Sequence, residues 1–169
     1  MCKLPIKSKM ELVISKAEED DRCHIMRLLK EVNMHYIPSE EMPSLTYENY
    51  FVAKINGKIV GFCGYKILSS EEAKTELMTV DKEYRGYGIG YKLQEYRMQD
   101  MIKKGIKTLI TNTDLPNTIS WYKKHFGYKE IGKLKKFHEF GDQNINEWTT
   151  LKTDLESWSF KRKDGLKHE

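Results

Sequence analysis

The stretch with the clearest chemistry is Arg85-Gly86-Tyr87-Gly88-Ile89-Gly90. It places glycines at alternate positions between a run that reads as a strand, residues 75–80, and a segment free of Gly and Pro that reads as a helix up to Gly105. Glycines at a strand-to-helix junction leave backbone N–H groups unshielded at the positive pole of the helix, a geometry that binds phosphate. Arg85 or Lys92 can add positive charge to such a cradle. The same glycines could also form a tight turn and nothing more.

The known phosphate loops separate on detail. A dinucleotide-binding turn needs Gly-x-Gly-x-x-Gly, and the third position falls on Tyr91 counted from Gly86, or on Leu93 counted from Gly88. A P-loop needs Gly-Lys-Ser/Thr, which Gly90-Tyr91-Lys92-Leu93 does not supply. A kinase glycine loop joins two strands and requires a second lobe that this length cannot hold.

The elements that must position the cradle fit one domain. The chain has 169 residues, 39% hydrophobic and 32% charged, which suits a single soluble domain with a sizeable core. Its net charge of +4 is modest, and Lys and Glu alternate along it, so no basic stripe argues for nucleic acid. Three cysteines, Cys2, Cys23 and Cys63, lack CxxC spacing and read as free thiols of a reducing compartment, with no metal site. No apolar leader and no run of membrane-spanning length is present in the sequence, so the expected location is the cytoplasm.

In chain order, residues 1–10 read as a loose lead-in and residues 11–16 as a first strand. Asp20 is placed to cap a helix whose apolar positions Ile25, Leu28, Leu29 and Val32 recur at helical spacing. His24 and His35 near it read as surface histidines. Residues 33–49, with Pro38, Pro43 and Glu40-Glu41, read as a loop that could carry a short helix, and either a substrate wall or a plain connector. Asn56-Gly57 between residues 51–55 and 58–65 is a strong hairpin signal, since both turn positions must accept positive φ. A polar turn at residues 69–72 leads to the strand before the glycines, completing an antiparallel meander. In the long helix Ile89, Leu93 and Tyr96 form a stripe, while Met98, Met101 and Ile102 fall elsewhere, so that helix is either sandwiched in the core or meets another chain.

Residues 108–111 read as a strand parallel to the motif strand, because a helix joins them. Pro116 opens a helix with Ile119, Tyr122 and Phe126 on one face, and Gly127 ends it. Residues 128–140 and 147–153 read as the last two strands, and beyond Leu155 the Lys-rich chain is expected to fray. The architecture expected is a single α/β (α+β) domain over residues 11–154, with residues 155–169 as a polar tail. Its mixed, mostly antiparallel sheet has about seven strands in the order β-α-(α)-β-β-β-α-β-α-β-β.

Two motifs on these elements carry a resemblance. The first is strand, Val80-Asp81-x-x-Tyr84-Arg85-Gly86-x-Gly88-Ile89-Gly90, helix. The second is residues 117–128, Asn-Thr-Ile-Ser-Trp-Tyr-Lys-Lys-His-Phe-Gly-Tyr. Together with the element order, they resemble the GNAT superfamily of acyl-CoA-dependent N-acetyltransferases, over roughly residues 11–153.

The resemblance implies acetyl-CoA as co-substrate, no metal, and a primary amine of a small molecule or peptide as acceptor. It implies that backbone N–H groups of Gly86, Tyr87, Gly88, Ile89, Gly90 and Tyr91 hold the pyrophosphate, with Arg85 or Lys92 adding positive charge. It also implies that the strand end Met78, Thr79 and Val80 splays to pair with the pantetheine arm and to present an N–H to the oxyanion. Tyr122 matches the family tyrosine that protonates the departing thiolate. Asn117 matches the asparagine that contacts CoA, although it sits five residues before Tyr122, two short of the commoner spacing, which falls on Leu115. Asn112 or Asp114 could serve in its place, or Asn117 could cap a helix.

An ammonium has no lone pair, so a base must take the amine proton. Glu76 is the candidate, since alternation places it on one strand face with Met78 and Val80; it could equally be a solvated carboxylate. Asp114, His138 and Glu139 are weaker candidates. Other uses of the same fold are a protein lysine or N-terminal acetyltransferase and a non-catalytic CoA-binding module. A homodimer is left open by the helix that is apolar on two sides.

Overall fold

The computed structural model describes residues 11–32, 34, 47–138 and 140–166. The lead-in 1–10, the greater part of the 33–49 loop (with its possible short helix and His35) and Glu139 lie outside the described residues.

The elements are β1 (Leu12–Lys16), α1 (Arg22–Glu31), β2 (Tyr50–Ile55), β3 (Lys58–Ile67), β4 (Glu72–Val80), α2 (Ile89–Lys103), β5 (Thr108–Thr113), α3 (Pro116–Phe126), β6 (Lys129–Lys135), β7 (Glu147–Asp154) and α4 (Leu155–Leu166). The strands form one seven-stranded sheet in the order β1-β2-β3-β4-β5-β7-β6. Every neighbouring pair is antiparallel except β4 with β5. The Asn56-Gly57 hairpin forms as the sequence predicts, with φ of +50° and +80° at the two turn residues.

Each face of the sheet buries its own cluster. On one, Ile25, Leu28 and Leu29 of α1 pack on Val52, Ile59 and Phe62. On the other, α2, α3 and α4 close over Val60, Cys63, Leu109 and Leu151. Each fully buried Leu or Ile contributes about 2 kcal/mol, so these two layers hold the central strands rigidly. Burial on α2 settles its two-sided pattern: Met98 and Met101 are fully buried by the domain itself, while Tyr96 is 38% exposed and lies edge-on to Phe51.

Local details depart from the sequence pattern in four places. Asp21, not Asp20, works at the start of α1: its carboxylate accepts the Glu18 N–H at 2.9 Å within a 3-10 turn that precedes the helix. β6 stops at Lys135, short of residue 140. The segment past Leu155 continues as α4, because Asp154 accepts the Ser157 N–H at 2.7 Å and Leu155 is fully buried. Trp158 of that helix packs against Phe126, and Arg162 pairs with Glu95 at 3.0 Å.

The fourth departure matters most for function. The β3–β4 register runs Gly64↔Glu76 and then Cys63↔Met78, so Leu77 is an extra, bulged residue, with φ +39°. The bulge breaks alternation. Glu76 therefore joins the α1 face, beside Tyr50, whereas Met78 and Val80 join the α2 face. The expectation that these three share a face is overturned.

Candidate active site

β4 and β5 pair in parallel only from Glu72↔Thr108 to Lys74↔Ile110. Beyond Lys74, β4 keeps β3 on one side, and its other edge opens. β5 turns instead to β7, which it pairs along its full length. The two parallel strands thus part into a cleft of about 1700 Å³. An exposed strand edge of this kind offers unpaired N–H and C=O groups to an extended ligand.

The glycine turn closes one end of the cleft. Gly86 and Gly88 have φ of +83° and +79°, and a Cβ built on either meets nothing within 4 Å. Gly88 is the N-cap of α2, no side chain caps that end, and its first turn holds no acidic residue. The first N–H groups of a helix have no intrahelical acceptor, so Ile89, Gly90 and Tyr91 present donors to the cleft they line. Open space, unshielded donors and a positive helix pole fit a pyrophosphate. Arg85 lines the same end, and its Nε donates to the Val80 carbonyl at 3.1 Å. Among the described candidate residues, Tyr87, 62% exposed, does not line the cleft, and neither do Lys92 and His138.

Tyr122 forms the opposite wall. It is buried on α3, stacked edge-on against Trp121 and Tyr128 with ring centroids 5.0 Å away in each case. Burial raises its hydroxyl above the ordinary tyrosine pKa, and Arg97 counteracts only part of that rise. Asn117 lies exposed on the cleft in the first turn of α3, and the N-cap there is Leu115, so Asn117 does not cap the helix. Glu76 lines the cleft from the α1 face, one carboxylate oxygen accepting the Tyr50 hydroxyl at 2.7 Å.

The alternatives are otherwise engaged. Asn112 accepts the Thr150 hydroxyl at 2.7 Å. Asp114 accepts from Lys136 and from the Asp142 N–H, both at 2.8 Å, in a pair buried at the cleft rim. His138 is exposed and stacks on Phe140. Among the described residues no group of three or more His, Cys, Asp or Glu side chains could hold a metal ion, and no helix is long and apolar enough to cross a membrane.

The model of the acetyltransferase (GNAT) family matches residues 11–128. The chain belongs to the GNAT acetyltransferase family. The solved structures agree on the fold. Ard1 from Thermoplasma volcanium superposes with a TM-score of 0.71 at 20% identity, covering 85% of this chain and 97% of that one. The ribosomal-protein-S18-alanine N-acetyltransferase from Escherichia coli gives 0.69 at 19% identity, covering 86% and 94%. N-acetylglutamate synthase from Neisseria gonorrhoeae, complexed with coenzyme A and N-acetyl-glutamate, gives 0.68 at 16% identity, covering 88% of this chain and 36% of that one. No curated protein matches the chain by sequence.

One GNAT cleft residue escapes the sequence patterns. Arg97, 1% exposed in the middle of α2, spends its guanidinium on neutral oxygens around the bulge. Nη1 donates to the carbonyls of Gly64 at 3.0 Å, Leu77 at 3.3 Å and Glu76 at 3.5 Å. Nη2 donates to the Tyr122 hydroxyl oxygen at 3.1 Å, and Nε to Gln94 Oε1 at 2.7 Å. Gln94 in turn donates to the Tyr128 hydroxyl, which also accepts from Thr111, each at 3.1 Å. The only sequence signal was a charged residue on the face of α2 that Leu93 and Met101 line.

Proposed function

We propose that the protein transfers an acetyl group from acetyl-CoA to a primary amine of a small molecule or peptide. The parting of β4 from β5 between the glycine turn and Tyr122 carries this reading. It offers a pyrophosphate site, a strand edge and a proton donor in one line. Backbone N–H groups at residues 86–91 would hold the pyrophosphate, and the free edge at Met78, Thr79 and Val80 would pair with the pantetheine arm. An N–H of that edge would face the developing oxyanion. Asn117, which lines the cleft, would add a further polar contact.

The bulge gives the two substrates separate approaches. Met78 and Val80 line the donor side, and Glu76 lines the side covered by α1. A neutral amine attacks the thioester carbonyl, the new N–C bond forms, and the C–S bond breaks. Glu76, directly or through water, takes the proton from nitrogen, and Tyr122 gives its proton to the departing sulfur. A solvent proton returned to Tyr122 and one released from Glu76 close the cycle. The products are the acetamide and free CoA. A cytoplasmic location belongs to the same reading and rests on the unpaired thiols of Cys23 and Cys63.

The acceptor side is open to peptides as well as small amines. Two fold neighbours are named for a ribosomal-protein alanine and for glutamate, respectively, so one fold serves both kinds. The test is thiol release from acetyl-CoA across a panel of polyamines, amino acids, aminoglycosides and peptides. Saturable release with one class is expected. Failure of acetyl-CoA to bind at millimolar concentration would sink the reading.

A further inference from the structure

We propose that Arg97 is a positioning residue for proton delivery: it ties the bulge of β4 to the Tyr122 oxygen and so turns the Tyr122 proton toward the cleft. The assignment rests on the reading of Tyr122 as the acid. Its physical basis is an asymmetry of hydrogen bonds. A tyrosine hydroxyl has one proton to give and lone pairs to receive. At Tyr122 a lone pair is filled by a charge-assisted N–H from Arg97 at 3.1 Å. Among the described residues no oxygen, nitrogen or sulfur accepts the Tyr122 proton in return. With its oxygen pinned from the side of α2, the hydroxyl has one useful direction left, the cleft that both Tyr122 and Arg97 line.

The cost of burying a guanidinium shows that the position is not filler. An ion out of water needs compensation for its lost hydration. Here that compensation comes from carbonyls exposed because Leu77 is extruded from the ladder. Bulge and cation therefore stabilise each other. The bulge separates Glu76 from Met78, so one side chain governs both the face-switch of the strand and the aim of the acid. The other titratable groups facing Tyr122 are Cys63 of β3 and Tyr128 beside β6; burial pushes both to higher pKa, leaving them neutral near pH 7. Arg97 is thus the charge that acts on Tyr122.

The experiment is a double-mutant cycle on thiol release from acetyl-CoA, with the fastest amine of the panel or, failing any, water as acceptor. The proteins are wild type, Tyr122→Phe, Arg97→Gln and the double variant, each checked for acetyl-CoA affinity and melting temperature. Tyr122→Phe should lower kcat about 100-fold, and Arg97→Gln about tenfold with KM for acetyl-CoA changed less than about threefold. In the Tyr122→Phe background, Arg97→Gln should cost less than about twofold, because the hydroxyl it aims is gone. The alkaline limb of kcat should also move to higher pH in Arg97→Gln, since loss of the cation removes the influence that favours phenolate.

Arg97→Lys should not rescue kcat, because one ammonium cannot span the bulge and Tyr122 together. Where Arg97→Gln fails to fold, Gln94→Met loosens the guanidinium from its Nε side. It should lower kcat severalfold in wild type and leave Tyr122→Phe unaffected. Multiplying losses in either cycle, or a loss confined to KM, would overturn the positioning role while leaving Tyr122 as acid. An unchanged kcat in Tyr122→Phe would instead overturn the reading of the acid, and absence of thiol release by the wild type would overturn acetyl transfer itself.

Discussion

A thiolate leaving an ordinary thioester needs a proton at pH values below its own pKa, about 8.5 for a simple thiol. Tyr122 holds a proton throughout that range, and burial extends the range upward. A general acid loses activity as pH rises through its folded pKa, so no Tyr122-dependent decline in kcat should appear between about pH 7 and pH 9. Tyr122→Phe should leave the affinity for CoA, measured by titration calorimetry, within about twofold of wild type. Cys63 gives a second residue-scale prediction. Its thiol is pushed up to about 11 by burial, with Arg97 opposing, whereas Cys23 is exposed. A thiol reagent at pH 8 should label Cys23 and leave Cys63 unreacted until the protein is unfolded. Cys63 is neutral in the fold, so its contribution to stability is complete below about pH 9 and is lost as pH rises toward 11.

At the scale of elements, signals written in short stretches of sequence were legible and those written between strands were not. The Asn56-Gly57 hairpin, the glycine turn into α2, the α3 stripe and the Gly127 cap each depend on a few adjacent residues, and each forms as expected. The bulge at Leu77 carries no glycine or proline. It is stabilised from a distance by Arg97, twenty residues on, which donates to the carbonyls of Glu76 and Leu77. Asp154 as the cap of α4 was readable, an Asp just before an apolar residue, but the Lys content beyond it obscured the signal. The cradle itself separates backbone need from ligand need. Gly88→Ala should cost about 1–2 kcal/mol in urea unfolding, because the residue has φ +79°, and should weaken CoA binding by placing a methyl in open space. Gly90→Ala should be milder for stability, since its added Cβ would only touch Val80 at 3.8 Å.

At the scale of the molecule, the two walls of the cleft are held by different means. One wall is built into α2 and α3, whose apolar core encloses the buried Arg97–Gln94 pair. The rim opposite is latched by Lys136, whose ammonium is buried against Asp114 and the carbonyls of Phe140 and Asp142, 4.4 Å above the Trp148 ring. Removing one partner of a buried pair strands the other, so Lys136→Met should cost about 3 kcal/mol and lower the melting temperature by about 10 °C. Because this loop carries Phe137 and Gly141 into the cleft lining beside Trp148 of β7, the same variant should raise KM for the amine more than KM for acetyl-CoA. An equal rise in both would show that the latch supports the whole cleft.

The slot that β7 fills between β5 and β6 also sets a timetable. During synthesis β5 leaves the ribosome with its far edge bare, and β6 follows with no neighbour to join. β5 can join β4 only over Thr108 to Ile110, and β6 cannot enter the sheet as it stands here until residues 147–154 arrive. Until then the nascent chain carries an open strand edge beside its own substrate cleft, and binding the donor before that moment would mean binding to half a wall. Completion of the sheet and of the cleft's second wall is therefore a late event that waits on β7.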